Sequence, residues 1–324
     1  MSRVNKRFNY LSRDPLLYKC LNLRNIHLTY MHTNICQLFD YFAPRCKRIL
    51  QLDLAYCKYY APYFREFLET CCRHLTHLRL SHCRYVFYSG LLGDISELCK
   101  NLKELDLNYC KDIRHKNISH LKNLQFLERL HLENIFLLES NTLCEILQKN
   151  RQMRDLNLAN TRLNIDTAVV IELKNCLNLE RLNLMRCSIT SQEIYALADC
   201  KNLIEINFSG CRIKDYCDRS GAFSRLFSSC KRLTKVDLSY SDQYKPLNKR
   251  DLETLALCKN LKSLNLMSLD SVTPAICSQL FTKCTKLNEI DLTFCKNISQ
   301  NLVDQWNEIY NEIIVYKFSH RQPR

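Results

Sequence analysis

The chain is poor in the residues that usually punctuate a fold. It holds 4 Gly and 6 Pro in 324 residues, where average usage is roughly 7% and 5%. Gly90, Gly93, Gly210 and Gly221 are the whole glycine supply. That excludes a Gly-rich phosphate loop, a dinucleotide fingerprint, and collagen-like or flexible-linker chains. No uncharged apolar run approaches the roughly 18 residues of a membrane helix. Met1 to Tyr10 is polar and basic, without the apolar core of a secretory signal. Neither a Gly-x-Ser-x-Gly elbow nor a His-Glu-x-x-His pair occurs, so no catalytic residue is assigned and no enzyme is expected.

Cysteine, by contrast, is plentiful, with 20 residues. Without a secretory signal the expected compartment is reducing, so free thiols are expected rather than a disulfide framework. The expected location is cytoplasmic, with the nucleus as an alternative. The 46% apolar content with 10% aromatics suffices for a core and argues against disorder. The net charge is +14, from 47 Lys and Arg against 33 Asp and Glu. Those charges are scattered, with Lys245 to Arg250 the densest stretch. That is a solvated basic face, and it argues against a nucleic-acid partner.

An internal period organises the rest. Cys99-Lys-Asn-Leu102-Lys-Glu-Leu105-Asp-Leu107-Asn-Tyr-Cys110 reads C-x-x-L-x-x-L-x-L-x-x-C. It recurs from Cys46, Cys72, Cys176, Cys200 and Cys284, with weaker copies from Leu124, Asn150, Cys230 and Cys258. Those ten copies step by 24 to 30 residues, a period that means a solenoid. Alternating Leu105 and Leu107 predict a short strand buried on one face. Thr190 with Glu193 predicts a capping box, and Thr273 before Pro274 an N-cap, so a helix follows the strand. One such unit cannot bury its apolar face alone; stacked copies share a core. The fold class expected is therefore α/β, a leucine-rich-repeat solenoid or horseshoe with a parallel concave sheet and convex helices.

The same phasing places fourteen of the cysteines, eight at the first and six at the last consensus position. Replacement by Leu, Asn, Ile, Thr or Ser in the weaker copies suggests slots that want modest size and no sulfur chemistry. Scarce glycine is expected to mean turns that ordinary residues can adopt. Cys71-Cys72-Arg73-His74 with His77 lacks a second ligand pair at zinc-site spacing, so no metal and no cofactor is expected. Of the six cysteines outside the pattern, Cys20, Cys36, Cys71, Cys144, Cys217 and Cys277, only Cys217 is a candidate for reactivity. Leu21-x-Leu23-x-x-Ile26 repeats the strand half of the motif as an N-terminal cap over 20–45, and the ten repeats run over 46–312. A last strand at Ile313 to Phe318 begins the C-terminal cap and tail, 313–324. One array is expected, with no linker.

The Cys-bearing repeat, together with Val4-Asn-Lys-Arg-Phe8-Asn-Tyr-Leu11-Ser-Arg-Asp14-Pro15-Leu16-Leu17-Tyr18, resembles the F-box/leucine-rich-repeat proteins. On this resemblance residues 1–19 are the C-terminal remnant of an F-box, with Phe8, Leu11, Asp14, Pro15 and Leu16 on the Skp1 side. It implies a substrate receptor of a Skp1–cullin–F-box ubiquitin ligase, with Skp1, a cullin complex and a protein substrate as partners and no small molecule. The resemblance also implies a mitochondrion-associated location as a further alternative. The leading Leu-Pro segment and first helices of an F-box are not present, so the chain is expected to be a piece of a longer product or a receptor arm without its own dock. A scaffold that binds its partner without Skp1 is the alternative.

Strand residues at positions +5, +7, +9 and +10, counted from the first repeat position, are expected on the concave face. Eight of the ten +7 residues are Asp or Asn and belong to the repeat, which leaves Arg79 and His131 as candidates. Position +10 carries Tyr56, Tyr109, Tyr240 and Phe294, with His82 and Arg186 in register. Strands lie about 4.8 Å apart, so Tyr56, His82 and Tyr109 are expected to form one row beside Arg79. Such a row is either a hot-spot patch for a protein partner or a cover for the strand-to-turn junction. The two longest steps place added segments at Arg212 to Ser220 and Asp242 to Arg250, as binding loops or as solvated loops.

Overall fold

The computed structural model describes residues 14–26, 35–59, 61–83, 90–110, 113, 115–136, 138–214, 221–241, 247 and 249–318. Phe8, Leu11 and Cys217 lie outside the described residues, as do the side chains of Pro15 and Leu16. The chain divides into two compact units, Met1–Met153 and Arg154–Arg324.

In the first unit five short strands run parallel in chain order. They are β1 (Cys20–Asn22), β2 (Gln51–Asp53), β3 (His77–Arg79), β4 (Glu104–Asp106) and β5 (Arg129–His131). Their register is in phase with the repeat: Cys20 faces Gln51, Gln51 faces His77, His77 faces Glu104, and Glu104 faces Arg129. Each strand buries its middle leucine, from Leu21 through Leu52, Leu78 and Leu105 to Leu130. Like residues thus stack on like residues, each contributing about 1.5–3 kcal/mol of burial.

The second unit repeats the scheme with β6 (Asp155–Asn157), β7 (Asn164–Ile165), β8 (Arg181–Asn183), β9 (Ser188–Ile189), β10 (Glu205–Asn207), β11 (Arg212–Ile213), β12 (Lys235–Asp237), β13 (Ser263–Asn265), β14 (Glu289–Asp291) and β15 (Ile314–Tyr316). Seven of these form the parallel sheet, again pairing equal repeat positions. The expected last strand is β15. The other three, β7, β9 and β11, form a second small parallel ladder. It was not expected from the sequence, because two-residue strands carry no period to read. Arg212 and Ile213 therefore belong to a strand, not to the added loop that the step lengths suggested. At the second long step Lys249 already opens a helix, Lys249–Thr254.

Helices follow the strands, and the local signals that predicted them are formed. Thr190 and Glu193 close a capping box on Ser191–Leu197. The Thr273 hydroxyl accepts the Ile276 N–H at 3.5 Å ahead of Pro274. Asp166 and Ser299 cap two further helices in the same way, each cap worth about 1 kcal/mol.

Two expectations about the coil need correction. The first concerns the turn. Every +10 residue has a left-handed backbone, from Asn160 and Tyr240 at φ 56° to Asn134 at 65°, and Gly210 (58°) is the only glycine among the ten. The turn is therefore a special one, built almost without the residue that suits it best. It persists because the +10 amide is a ladder donor. Tyr56 N–H bonds the Ser81 carbonyl at 2.8 Å, His82 that of Asn108 at 2.8 Å, and Arg186 that of Ser209 at 2.9 Å. The second concerns the closing cysteine. Its thiol donates to a carbonyl one coil back: Cys57 to Leu23 at 3.0 Å, Cys110 to Leu80 at 3.0 Å, Cys211 to Leu184 at 2.8 Å, and Cys295 to Leu266 at 3.2 Å. Where serine replaces it, the Ser241 hydroxyl makes the same bond to Phe208 at 3.2 Å. In seven of the ten coils the slot thus holds a small buried donor, which size alone does not describe, while Ile135 and Leu269 fill it without one. Burial pushes Cys57 and Cys187 up to about 11, with hydrogen bonds pulling the other way. The thiols accordingly keep their protons at neutral pH.

Candidate protein-binding face

The strand face is assembled by a turn motif at +7. The side-chain oxygen of Asp53 accepts the Ala55 N–H at 2.9 Å, Asp106 accepts Asn108, and Asn183, Asn207, Asp237, Asn265 and Asp291 act alike in their coils. These Asx turns aim the chain into the left-handed +10 residue. They explain why eight of ten +7 residues are Asp or Asn, and why those residues say little about a ligand. Of the ten +9 residues, expected on the open face, five are buried (Ala55, Ser81, Ala159, Ser239 and Thr293) and the other five are half-buried.

In the first unit the +10 side chains make a continuous stack. The Tyr56 and His82 rings lie 4.3 Å apart at 8°, and His82 and Tyr109 lie 4.4 Å apart at 11°. Spacing below the roughly 4.8 Å between strands shows rings in face contact, not merely in register. The ends of the stack differ in charge. The Arg24 guanidinium sits 5.3 Å from the Tyr56 ring centre, and the Tyr109 hydroxyl donates to the Glu133 carboxylate at 2.5 Å. Neither Arg24 nor Glu133 was singled out in the sequence. Both stand at +9, in coils whose +10 residues are the unremarkable Asn25 and Asn134.

Beside the stack, the central strands carry a charge network. Arg79 is exposed, as expected, but its Nε lies 2.6 Å from a Glu104 oxygen. Arg129 approaches the same carboxylate at 3.2 Å and His77 at 4.0 Å. Burial alone would raise the Glu104 pKa, yet the Arg79 hydrogen bond and the charges of Arg79, His77 and Arg129 outweigh it and hold the group below the usual carboxylate range. His77 is lowered, chiefly by burial. Arg79 therefore presents a fixed guanidinium edge. His131 is half-buried at the end of β5. It cannot make the Asx turn, and Asn108 of the preceding coil takes over by accepting the Glu133 N–H at 2.7 Å.

The candidates of the second unit do not join into a row. Arg186 is exposed with Nη1 3.4 Å from Asn160 Oδ1, Tyr240 is 37% exposed, and Phe294 is half-buried. Gly210 stands between the first two and Ser268 between the last two. Alternate coils lie about 10 Å apart, too far for ring contact. Of the Skp1-side residues, Asp14 precedes a short 3₁₀ turn, Pro15–Tyr18, and its carbonyl accepts the Leu17 N–H at 3.1 Å. Among the described residues no cluster of His, Cys, Asp and Glu could hold a metal ion. Cys71 and Cys72 lie with sulfurs 3.9 Å apart in the core. No helix of the described residues is long and apolar enough to cross a membrane.

No family model matches the chain. In three dimensions it is similar to a chain of the yeast Rad7–Elc1 complex, with a TM-score of 0.57 and 16% identity over 89% of this chain and 69% of that one. It is also similar to an internalin (InlF) of Listeria monocytogenes, with a TM-score of 0.55 and 15% identity over 92% and 94% of the two chains. Identities at this level speak for the fold, and with the in-phase register, the Asx turns and the stacked leucines they make this chain an α/β leucine-rich-repeat solenoid.

Proposed function

We propose that the chain is a non-catalytic receptor that captures a protein partner on the strand face of its first unit, through the Tyr56–His82–Tyr109 stack and the flanking Arg79 edge. The observation that carries this reading is the stack itself. Three rings occupy left-handed backbone positions, each at a cost of roughly 1–2 kcal/mol relative to glycine, and they leave one flat amphipathic surface partly open to solvent. Tyrosine and arginine in such an arrangement are the residue types that anchor interfaces. The left-handed turn recurs in every coil, so it is the choice of three adjacent rings there, where glycine or asparagine fits at less cost, that points toward use.

The finer form of the proposal is the substrate receptor of a Skp1–cullin–F-box ubiquitin ligase, holding a target for ubiquitin-dependent degradation. Its support is the F-box-like run ending in Asp14-Pro15-Leu16. Within that family, this run and Thr293-Phe294-Cys295-Lys296-Asn297-Ile298 point toward F-box/leucine-rich-repeat protein 4. The structural neighbour Rad7 was itself crystallised with a partner, Elc1.

Two experiments separate the levels. Partner capture by the Tyr56→Ala, Tyr109→Ala double variant should fall at least tenfold; unchanged capture sinks the binding face. Pull-down of the chain with purified Skp1 and cullin tests the ligase. A chain that holds its partner without Skp1 is the scaffold instead.

A further inference from the structure

The strands of the first unit have a second edge. Positions +2 and +4 flank the buried +3 residue, Ile49, Leu75, Leu102 or Leu127, and between them runs a groove of about 620 Å³. Arg48, His74 and Phe126 line it from +2, and Lys19, Leu50 and Lys103 from +4. It lies at the opposite strand ends from the aromatic row at +10. No carboxylate lines it. Lys103 is tied to Glu128 at 2.9 Å. Lys19 and Arg48, on neighbouring coils at one end, have no carboxylate partner among the described residues. Leu50 is 37% exposed and Phe126 53% exposed, so cationic and apolar surface share one trough. A second hollow, beside Phe126, is lined by Glu97 and Glu145 as well as by lysines and has no such bias.

We propose that this groove binds a short, extended acidic peptide, with carboxylates on Lys19 and Arg48 and an apolar side chain against Phe126. From the coil of Lys19 to that of Phe126 is four strand spacings, about 19 Å. That length takes about six residues of extended chain. Two free cations close together match one or two carboxylates. A nucleic-acid strand would call for unpaired cations along the whole groove with bases stacked at intervals; here Lys103 is already paired with Glu128, and the apolar Leu50 and Phe126 share the trough. The site is independent of the aromatic row, so it stands or falls separately from the receptor face.

The test begins with a random heptapeptide phage selection on the full chain. Enriched peptides are then labelled and measured by fluorescence polarisation at about 0.1 M salt. Peptides bearing Asp or Glu about four to six residues from a Phe, Leu or Met are expected. Their affinity should fall at least about tenfold in Lys19→Glu, Arg48→Glu, a loss typical of reversed charges at an interface. It should fall several-fold in Phe126→Ala, and hold in Lys19→Arg, Arg48→Lys and in Tyr56→Ala, Tyr109→Ala. The charged residues are exposed, and matching melting curves establish that the reversed variant folds. Absence of enrichment, enrichment of basic peptides, or equal binding by the charge-reversed variant overturns the proposal. Displacement of the peptide by a tighter-binding oligothymidylate overturns it in favour of nucleic acid.

Discussion

At position 82 the usual ranking of alanine over glycine should reverse. In strands and helices glycine is the less stable by about 0.5–1 kcal/mol. His82, however, sits at φ 59° with its N–H bonded to the Asn108 carbonyl at 2.8 Å, so neither substitution can relax the backbone without losing the ladder. There an L side chain costs roughly 1–2 kcal/mol and glycine nothing. After the extra freedom of glycine in the unfolded chain is subtracted, His82→Gly should be about 1 kcal/mol more stable than His82→Ala. Both variants lose two ring contacts of about 0.5–1.5 kcal/mol each. His82→Ala should therefore fall roughly 1–3 kcal/mol below the parent, while His82→Gly recovers part of that. Gly210, at φ 58°, supplies the converse. An added Cβ would meet Arg186 Cγ at 3.3 Å, and Gly210→Ala should cost about 1 kcal/mol from the backbone plus a small displacement of that side chain. Urea titrations followed by circular dichroism, read at constant slope, give the differences. If His82→Ala matches or exceeds His82→Gly, the coil does not store strain at +10, and the inference from strain to a binding role loses its footing.

Three more outcomes are expected. Cys211→Ala should lose about 1–2 kcal/mol, for the missing sulfur and for the thiol bond to the Leu184 carbonyl, which still accepts the Cys187 N–H, and Cys211→Ser, which keeps a donor as Ser241 does, less than 1 kcal/mol; urea midpoints that rank serine below alanine contradict the donor reading. Glu104→Gln should cost about 1–2 kcal/mol at pH 7, the partly exposed Arg79 limiting the loss. Because the Glu104 pKa is lowered in the folded chain, its stabilisation is present above the ordinary 4.5 and fades as the pH falls through the folded value, so the variant and the parent should converge in acid. The closing and opening thiols predict alkaline sensitivity. Burial, the largest cause, raises Cys187 to about 11 and Cys200 and Cys258 to about 12 from an ordinary 9.0. Their contribution is intact below pH 9 and is lost as the pH rises toward 11–12, at up to about 1.4 kcal/mol per pH unit for each thiol; a melting temperature flat from pH 8 to 10.5 would contradict it.

Much of this was legible in the sequence because the solenoid is periodic. Leu105 and Leu107 announce the strand, and the ten copies fix which residues stack. Even the aromatic row could be placed, since equal positions in successive coils must be neighbours. The roles of the repeat residues were harder to read. Asn25, Asn134, Asn160 and Gly210 share position +10 and are all residues that tolerate a left-handed backbone. That was the available signal for the strained turn, and the tyrosines obscured it. The thiol bonds left only one trace, Ser241 standing in for cysteine with a hydroxyl that makes the same bond, while the Thr161 hydroxyl turns to Leu158 of its own coil. The pairing of Arg79 with Glu104 was hidden because the two lie 25 residues apart at different repeat positions, joined only by the parallel register.

The bond from Glu133 to Asn108 shows how one coil releases the next from its template. Because Asn108 supplies the acceptor, position 131 no longer has to be Asp or Asn, and an imidazole can stand on the open face. Permission to diverge is thus passed along the array from neighbour to neighbour. A coil deleted or duplicated at this point would change not only the number of repeats but which residues the following coil can tolerate.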